Sequence, residues 1–103
     1  MLIAIASSDG ETVNEHFGRA DRFLIYDVSP GRHTLITVRN VKPYSIGNRD
    51  HQFDSERMAS AAEAVRDCKL IYCSKIGDRP RMELDNLGIT AIIGSRPISE
   101  IFE

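Results

Sequence analysis

A chain of 103 residues, 42% apolar and 27% charged, has the size and composition of one folded domain and is too apolar for a disordered segment. Its net charge of −2 is the wrong sign for a general nucleic-acid binder, and no apolar run approaches the ~18 residues of a bilayer span. The opening MLIAIASSDG has no basic region and too short an apolar run for a signal peptide, so the expectation is a cytoplasmic protein with neither nucleic acid nor membrane as partner.

Residues 2–6, LIAIA, are continuously apolar, which suits a strand covered on both faces. The polar stretch SSDGETVNEHFGRADRF, residues 7–23, follows; a loop of that length in a small domain generally binds something or is disordered. Residues 23–28 (FLIYDV) and 33–38 (HTLITV) are rich in β-branched and aromatic side chains. Between them SPGR places Pro30 and Gly31 where a type II turn wants a fixed φ and then a positive φ, so an antiparallel hairpin is predicted. Residues 39–53 are polar and irregular and read as a second long loop.

A helix is predicted from Asp54 as N-cap, with Glu56 at the positive end of the dipole and Phe53 and Met58 as a hydrophobic staple. Met58, Ala61, Ala62 and Val65 form its apolar stripe. Residues 69–74 (KLIYCS) read as a strand. A short helix capped by Asp78, with Pro80 in its first turn and Gly88 beyond its end, comes next. Residues 89–93 (ITAII) are the last predicted strand, and a terminal helix begins at Pro97. Strands that alternate with helices pair in parallel through right-handed crossovers. The expected fold class is therefore α/β: a single domain over 1–103, with a mixed five-stranded sheet, the antiparallel hairpin at one edge and helices packed on it.

Ligands of open α/β sheets collect beyond the carboxyl ends of the parallel strands. If the first and fourth strands are neighbours, the opening loop and the CSKIG turn face one crevice. His16 is a candidate transition-metal ligand there, beside Phe17, which could pin the loop, and Gly18, which could let backbone approach a bulky ligand. By residue type alone, a solvated loop His is the simpler reading. Cys73 offers a soft thiolate or a small buried hydrophobe, and Cys68 suits packing. Arg19, Arg22, Lys75, Arg79 and Arg81 can neutralise an anion or simply be solvated, Asp9 and Asp21 suit turn or cap bonds, Glu15 is an acidic loop residue, and His51 is a possible second ligand. There is no GxGxxG, P-loop, CxxC, GxSxG or HExxH, and the candidate central strands LIAIA and KLIYC carry no carboxylate for a two-metal nuclease.

The string NEHFGRADRFLIY, residues 14–26, with CKLIYCSKIG and LDNLGI later in the same order, resembles the nitrogenase iron-molybdenum cofactor biosynthesis family, which includes NifX, NifY and the C-terminal domain of NifB. The resemblance runs over nearly the whole chain. It implies a ribonuclease H-like fold without nuclease activity. It also implies a non-catalytic carrier of an iron-sulfur or iron-molybdenum precursor cluster, with nitrogenase-assembly proteins as partners. His16 of the HFG motif, beside Phe17 and Gly18, would be the cluster ligand; Arg19, Arg22 or Lys75 would suit an anionic cluster, and Cys73 or His51 is the candidate second metal ligand. PYSIGNRDHQF, residues 43–53, lacks both the Cys of NifB-like domains and the His-rich run of some stand-alone members. The competing readings are a small regulatory or protein-interaction module, and, against the missing strand carboxylates, a hydrolase.

Overall fold

The computed structural model describes residues 1–41 and 55–102. The expected cap at Asp54, the Phe53–Met58 staple, most of the second loop and His51 lie outside the described residues. The elements in chain order are β1 (Leu2–Ala6), β2 (Thr12–Val13), β3 (Arg22–Ser29), β4 (Arg32–Asn40), α1 (Ser55–Ala64), β5 (Leu70–Cys73), α2 (Asp78–Asn86), β6 (Thr90–Ile93), β7 (Arg96–Pro97) and α3 (Ile98–Ile101).

Five strands form one mixed sheet in the order β4-β3-β1-β5-β6. β1, β5 and β6 run parallel, β3 is antiparallel to β1, and the β3–β4 hairpin lies at one edge as expected. Gly31 takes φ +75° in the Pro30-Gly31 turn, a conformation that a Cβ would strain. β4 is longer than its sequence pattern: it includes Arg39 and Asn40, which were expected to begin the second loop, because both find cross-strand partners in Phe23 and Arg22.

Alternation along the strands divides the core in two. On one face Ala4, Ala6, Phe23, Ile25, Ile71 and Cys73 pack with Met58, Ala61, Ala62 and Val65 of the α1 region and Leu84 of α2. Alanines at the β1 positions let the helices lie close. On the other face Ile3, Ile5 and Leu24 pack with Val13 and Ile98. Among the described residues that second layer is thin, supplied by the β2–β7 ribbon and the single turn of α3.

Two local expectations need correction. The cap of α2 is Gly77, with no side-chain hydrogen bond, and Asp78 is the first helical residue. Its charge there still complements the dipole. The terminal helix starts one residue later than expected, because Pro97 pairs with Thr12 before α3 begins.

Candidate functional site

The opening loop is tightly built. The Asp9 carboxylate accepts from the Glu11 and Thr12 amides, both at 2.8 Å, and from Ser7 Oγ at 3.1 Å. Those backbone bonds favour its charged form and lower its pKa. Gly10, at φ +77°, donates its amide to Ser7 Oγ at 3.0 Å and makes the bend possible. Asn14 then staples the loop's two limbs: it accepts the Ser8 amide and donates to Ser8 Oγ, each at 2.9 Å. Arg22 donates to the Ser8 carbonyl from the start of β3. β2, inside this loop, pairs antiparallel with β7 from the far end of the chain.

Beyond Asn14 the chain lies along the turn that leaves β5. The Ser74 amide donates to the Glu15 carbonyl and the Phe17 amide to the Lys75 carbonyl, both at 2.9 Å, so His16 and Lys75 stand opposite each other in a parallel bridge. The chain then turns back, with the amides of Arg19 and Ala20 closing on the His16 carbonyl. Phe17, Gly18 and Ala20 are buried, and the Phe17 ring packs 5.4 Å from that of Phe23. His16 is half-buried between this anchor and solvent. β1 and β5 are neighbours, as the expected crevice required, and the chain segments of His16 and Lys75 meet in a bridge beyond their carboxyl ends.

Arg19 and Lys75 are exposed on the two chains of that bridge, Arg22 is exposed at the start of β3, and Arg79 and Arg81 are exposed in α2. Glu15 is half-buried, and Asp9 and Asp21 are exposed. Asp9 has the turn role its residue type suggested, while Asp21 supplies a carbonyl to the Val41 amide at 2.8 Å. Among the described residues, no group of three or more His, Cys, Asp or Glu side chains could together hold a metal ion. The arrangement therefore offers one presented imidazole with cationic side chains on the same loops. It can attach a ligand that carries its own framework, and it favours an anionic one.

Cys73 does not present a ligand in this fold. It is fully buried, and loss of solvation pushes its thiol up to about 11, with the Lys75 amide and the Arg81 charge pulling weakly the other way. Cys68 is likewise buried and raised to about 11, again chiefly by burial. Both thiols are protonated at neutral pH, and their surroundings are those of packing residues. Asn14 and Ser8 are the members of this site that residue type did not single out. Their only signal was a general preference of Asn and Ser for turns.

A family model described as dinitrogenase iron-molybdenum cofactor matches residues 1–103. The FeMo cofactor biosynthesis protein NifB of Frankia alni is 37% identical over 92 residues, covering 89% of this chain and 18% of that protein. Protein NifX of Klebsiella pneumoniae is 37% identical over 88% of this chain and 54% of its own length, and Protein NifY of Azotobacter vinelandii is 34% identical over 98% and 40%. The chain thus spans well under two thirds of each of these relatives. Among solved structures, the crystal structure of PH0822 superposes with a TM-score of 0.71 at 23% identity, covering 99% of this chain and 86% of that one. That likeness shows a shared α/β fold.

Proposed function

The chain belongs to the dinitrogenase iron-molybdenum cofactor family, and from that premise we propose that it is a non-catalytic carrier of an iron-sulfur or iron-molybdenum precursor cluster, held at His16. The observation that carries this reading is the mounting of His16. His16 is half-buried, while its neighbours are fixed by the buried Phe17 ring and by two backbone bonds to the β5–α2 turn. A rigid stalk with one open ligand suits a cargo that must be both held and released; a closed four-thiolate site suits permanent residence.

In this reading His16 supplies the metal bond through a neutral ring nitrogen. Arg19 and Lys75, on either side of the bridge, offset the negative charge of the cluster, and the small Gly18 leaves room for its bulk. Cys73 enters only as a packing residue, because its thiol is buried and protonated. The partners would be proteins that donate and accept the cluster in nitrogenase cofactor assembly, in the cytoplasm. The order β4-β3-β1-β5-β6 supports the ribonuclease H-like label for the domain over 1–103, and neither β1 nor β5 carries a carboxylate suited to nuclease chemistry.

Anaerobic titration with an iron-sulfur cluster, followed by absorbance and native-gel mobility, tests the proposal. Saturable colour and a mobility shift are expected for the native protein, with uptake weakened at least tenfold in His16→Ala. Equal uptake by the variant overturns the role of His16, and no uptake by either overturns the carrier reading.

A further inference from the structure

The two edges of the main sheet differ. β6 closes one edge with four residues, Thr90–Ile93, whereas β4 closes the other with nine, Arg32–Asn40. Residues 32–38 are all exposed, and this strand carries three of the large exposed hydrophobics: Leu35, Ile36 and Val38, each more than 40% exposed. Exposed strand edges normally carry charges, prolines or a bulge that discourage pairing with other chains. β4 has no Pro, and its bulge, where Ile36 is the extra residue between Tyr26↔Leu35 and Ile25↔Thr37, leaves the half near the hairpin turn regular.

In that half the direction of the main-chain groups follows from the turn. Ser29 and Arg32 flank the two-residue loop and face each other as its closing pair. Ladder bonds alternate along an antiparallel pair, so the N–H and C=O groups of His33 and Leu35 point away from β3. The His33 ring stacks on Phe102 of the α3 end, 4.1 Å between centroids and 2° between planes, which holds this stretch against the body of the protein. Among the described residues the edge is therefore open and already ordered.

Charge selects the occupant. β4 contains two Arg and no carboxylate. Arg39 is taken by Asp67, but Arg32 has no ion pair among the described residues. The one carboxylate of the neighbouring strand, Asp27, pairs with the N-terminal ammonium at 3.2 Å. A second copy laid on this edge would bring no counter-charge to Arg32, because β4 itself has no carboxylate. We propose that the β4 edge docks an extended segment of a partner protein, acidic and with alternating aliphatic residues, which adds to the sheet as a sixth strand beside His33 and Leu35. Main-chain bonds would supply affinity, and Arg32 and the exposed aliphatic side chains would supply selectivity.

The probe is a synthetic ten-residue peptide of alternating Glu and Val, with an alternating Lys and Val peptide as control, and the readout is residue-resolved amide exchange of the full chain. The acidic peptide is expected to slow exchange at His33 and Leu35. Leu35→Pro, which removes an outward amide and no ladder bond, and Arg32→Glu, which leaves the backbone intact, should each weaken binding at least tenfold. The proposal is overturned if neither amide responds to the acidic peptide, or if both peptides bind Arg32→Glu and native protein alike. Protection of the same amides without peptide, in a sample that sediments as a dimer, gives the edge to a second copy and also overturns it.

Discussion

Phe17 and His16 are adjacent, yet the backbone sends them to opposite environments. The ring of Phe17 is buried against Phe23, while the imidazole stays at the surface. The apolar neighbour thus serves as the anchor of the polar one. The two cysteines show the reverse outcome. Both sulfurs are closed off, with thiols raised to about 11 by lost solvation. Unfolded thiols ionise near ~8.5, so the folded state favours the protonated form. The sign follows by linkage. The cysteine contribution to stability is complete below about pH 8.5 and is lost as pH rises from there through about 11. Urea unfolding across that range should show the decline, and a Cys68→Ala, Cys73→Ala double variant should flatten it. At neutral pH a thiol reagent should titrate two groups in urea and react slowly with the native protein, since Cys68 and Cys73 are both buried. Fast reaction of Cys73 in the native state would reopen its candidacy as a ligand.

At the scale of elements, the hairpin edge is tied to the helical layer by one bidentate contact. Arg39 of β4 donates to both oxygens of Asp67 at 2.6 and 2.9 Å and to the Ala64 carbonyl at the end of α1. The pairing holds the Asp67 carboxyl below its ordinary range and raises Arg39 further. Asp67 is half-exposed, so solvent screens much of the attraction and the net worth is about 0.5–1 kcal/mol. Arg39→Ala should cost about 1 kcal/mol once the bond to the Ala64 carbonyl is included. Part of that loss should vanish in 1 M salt, because only the ion pair is screened. The carboxylate also sets an acid limit. With its pKa lowered in the fold, the contribution of Asp67 is present above the unfolded value near ~3.9 and is lost as pH falls through the folded one. Unfolding midpoints of Arg39→Ala and the native protein, compared at low and high salt and again as pH falls below ~3.9, check both points.

For the whole molecule, the uneven layering matters most. Among the described residues, one face of the sheet is covered by α1 and α2, and the other by the β2–β7 ribbon and the four residues of α3. Ile98 links that thin layer to the sheet: it is 5% exposed among Ile3, Ile5, Val13 and Leu24, and its amide bonds the Glu11 carbonyl at 2.8 Å. Ile98→Ala should cost about 2–5 kcal/mol by the cavity it leaves. It should also accelerate amide exchange in Thr12 and Val13 more than in Ile5 or Ile71, because the ribbon loses its clamp before the sheet opens. Uniform acceleration would mean that the ribbon and the sheet unfold as one unit. The site occupies the carboxyl ends of β1 and β5, and the open β4 edge lies two strands from β1. The proposed cluster site and the proposed docking edge thus lie on different sides of one small sheet.

Local patterns in the sequence determined the parts that depend on neighbours along the chain. The apolar run of β1, the Pro30-Gly31 turn, the stripe Met58, Ala61, Ala62 and Val65, and the break at Gly88 each carry their own signal, and their alternation implied a mixed sheet with parallel strands. The string around His16 pointed to the family. Tertiary structure decided what those signals cannot hold. A two-residue strand has no periodicity, so the pairing of Thr12 and Val13 with Arg96 and Pro97 at the far end of the chain was not legible. By residue type, Cys73 read as a thiolate ligand or, more readily, as packing; its burial in the helix-facing core agrees with the second. His16 was legible as a candidate ligand in a loop, without its mounting. Its fixed mounting comes from the bridge to Lys75 and the Phe17–Phe23 contact, which exist only once β1 and β5 lie side by side.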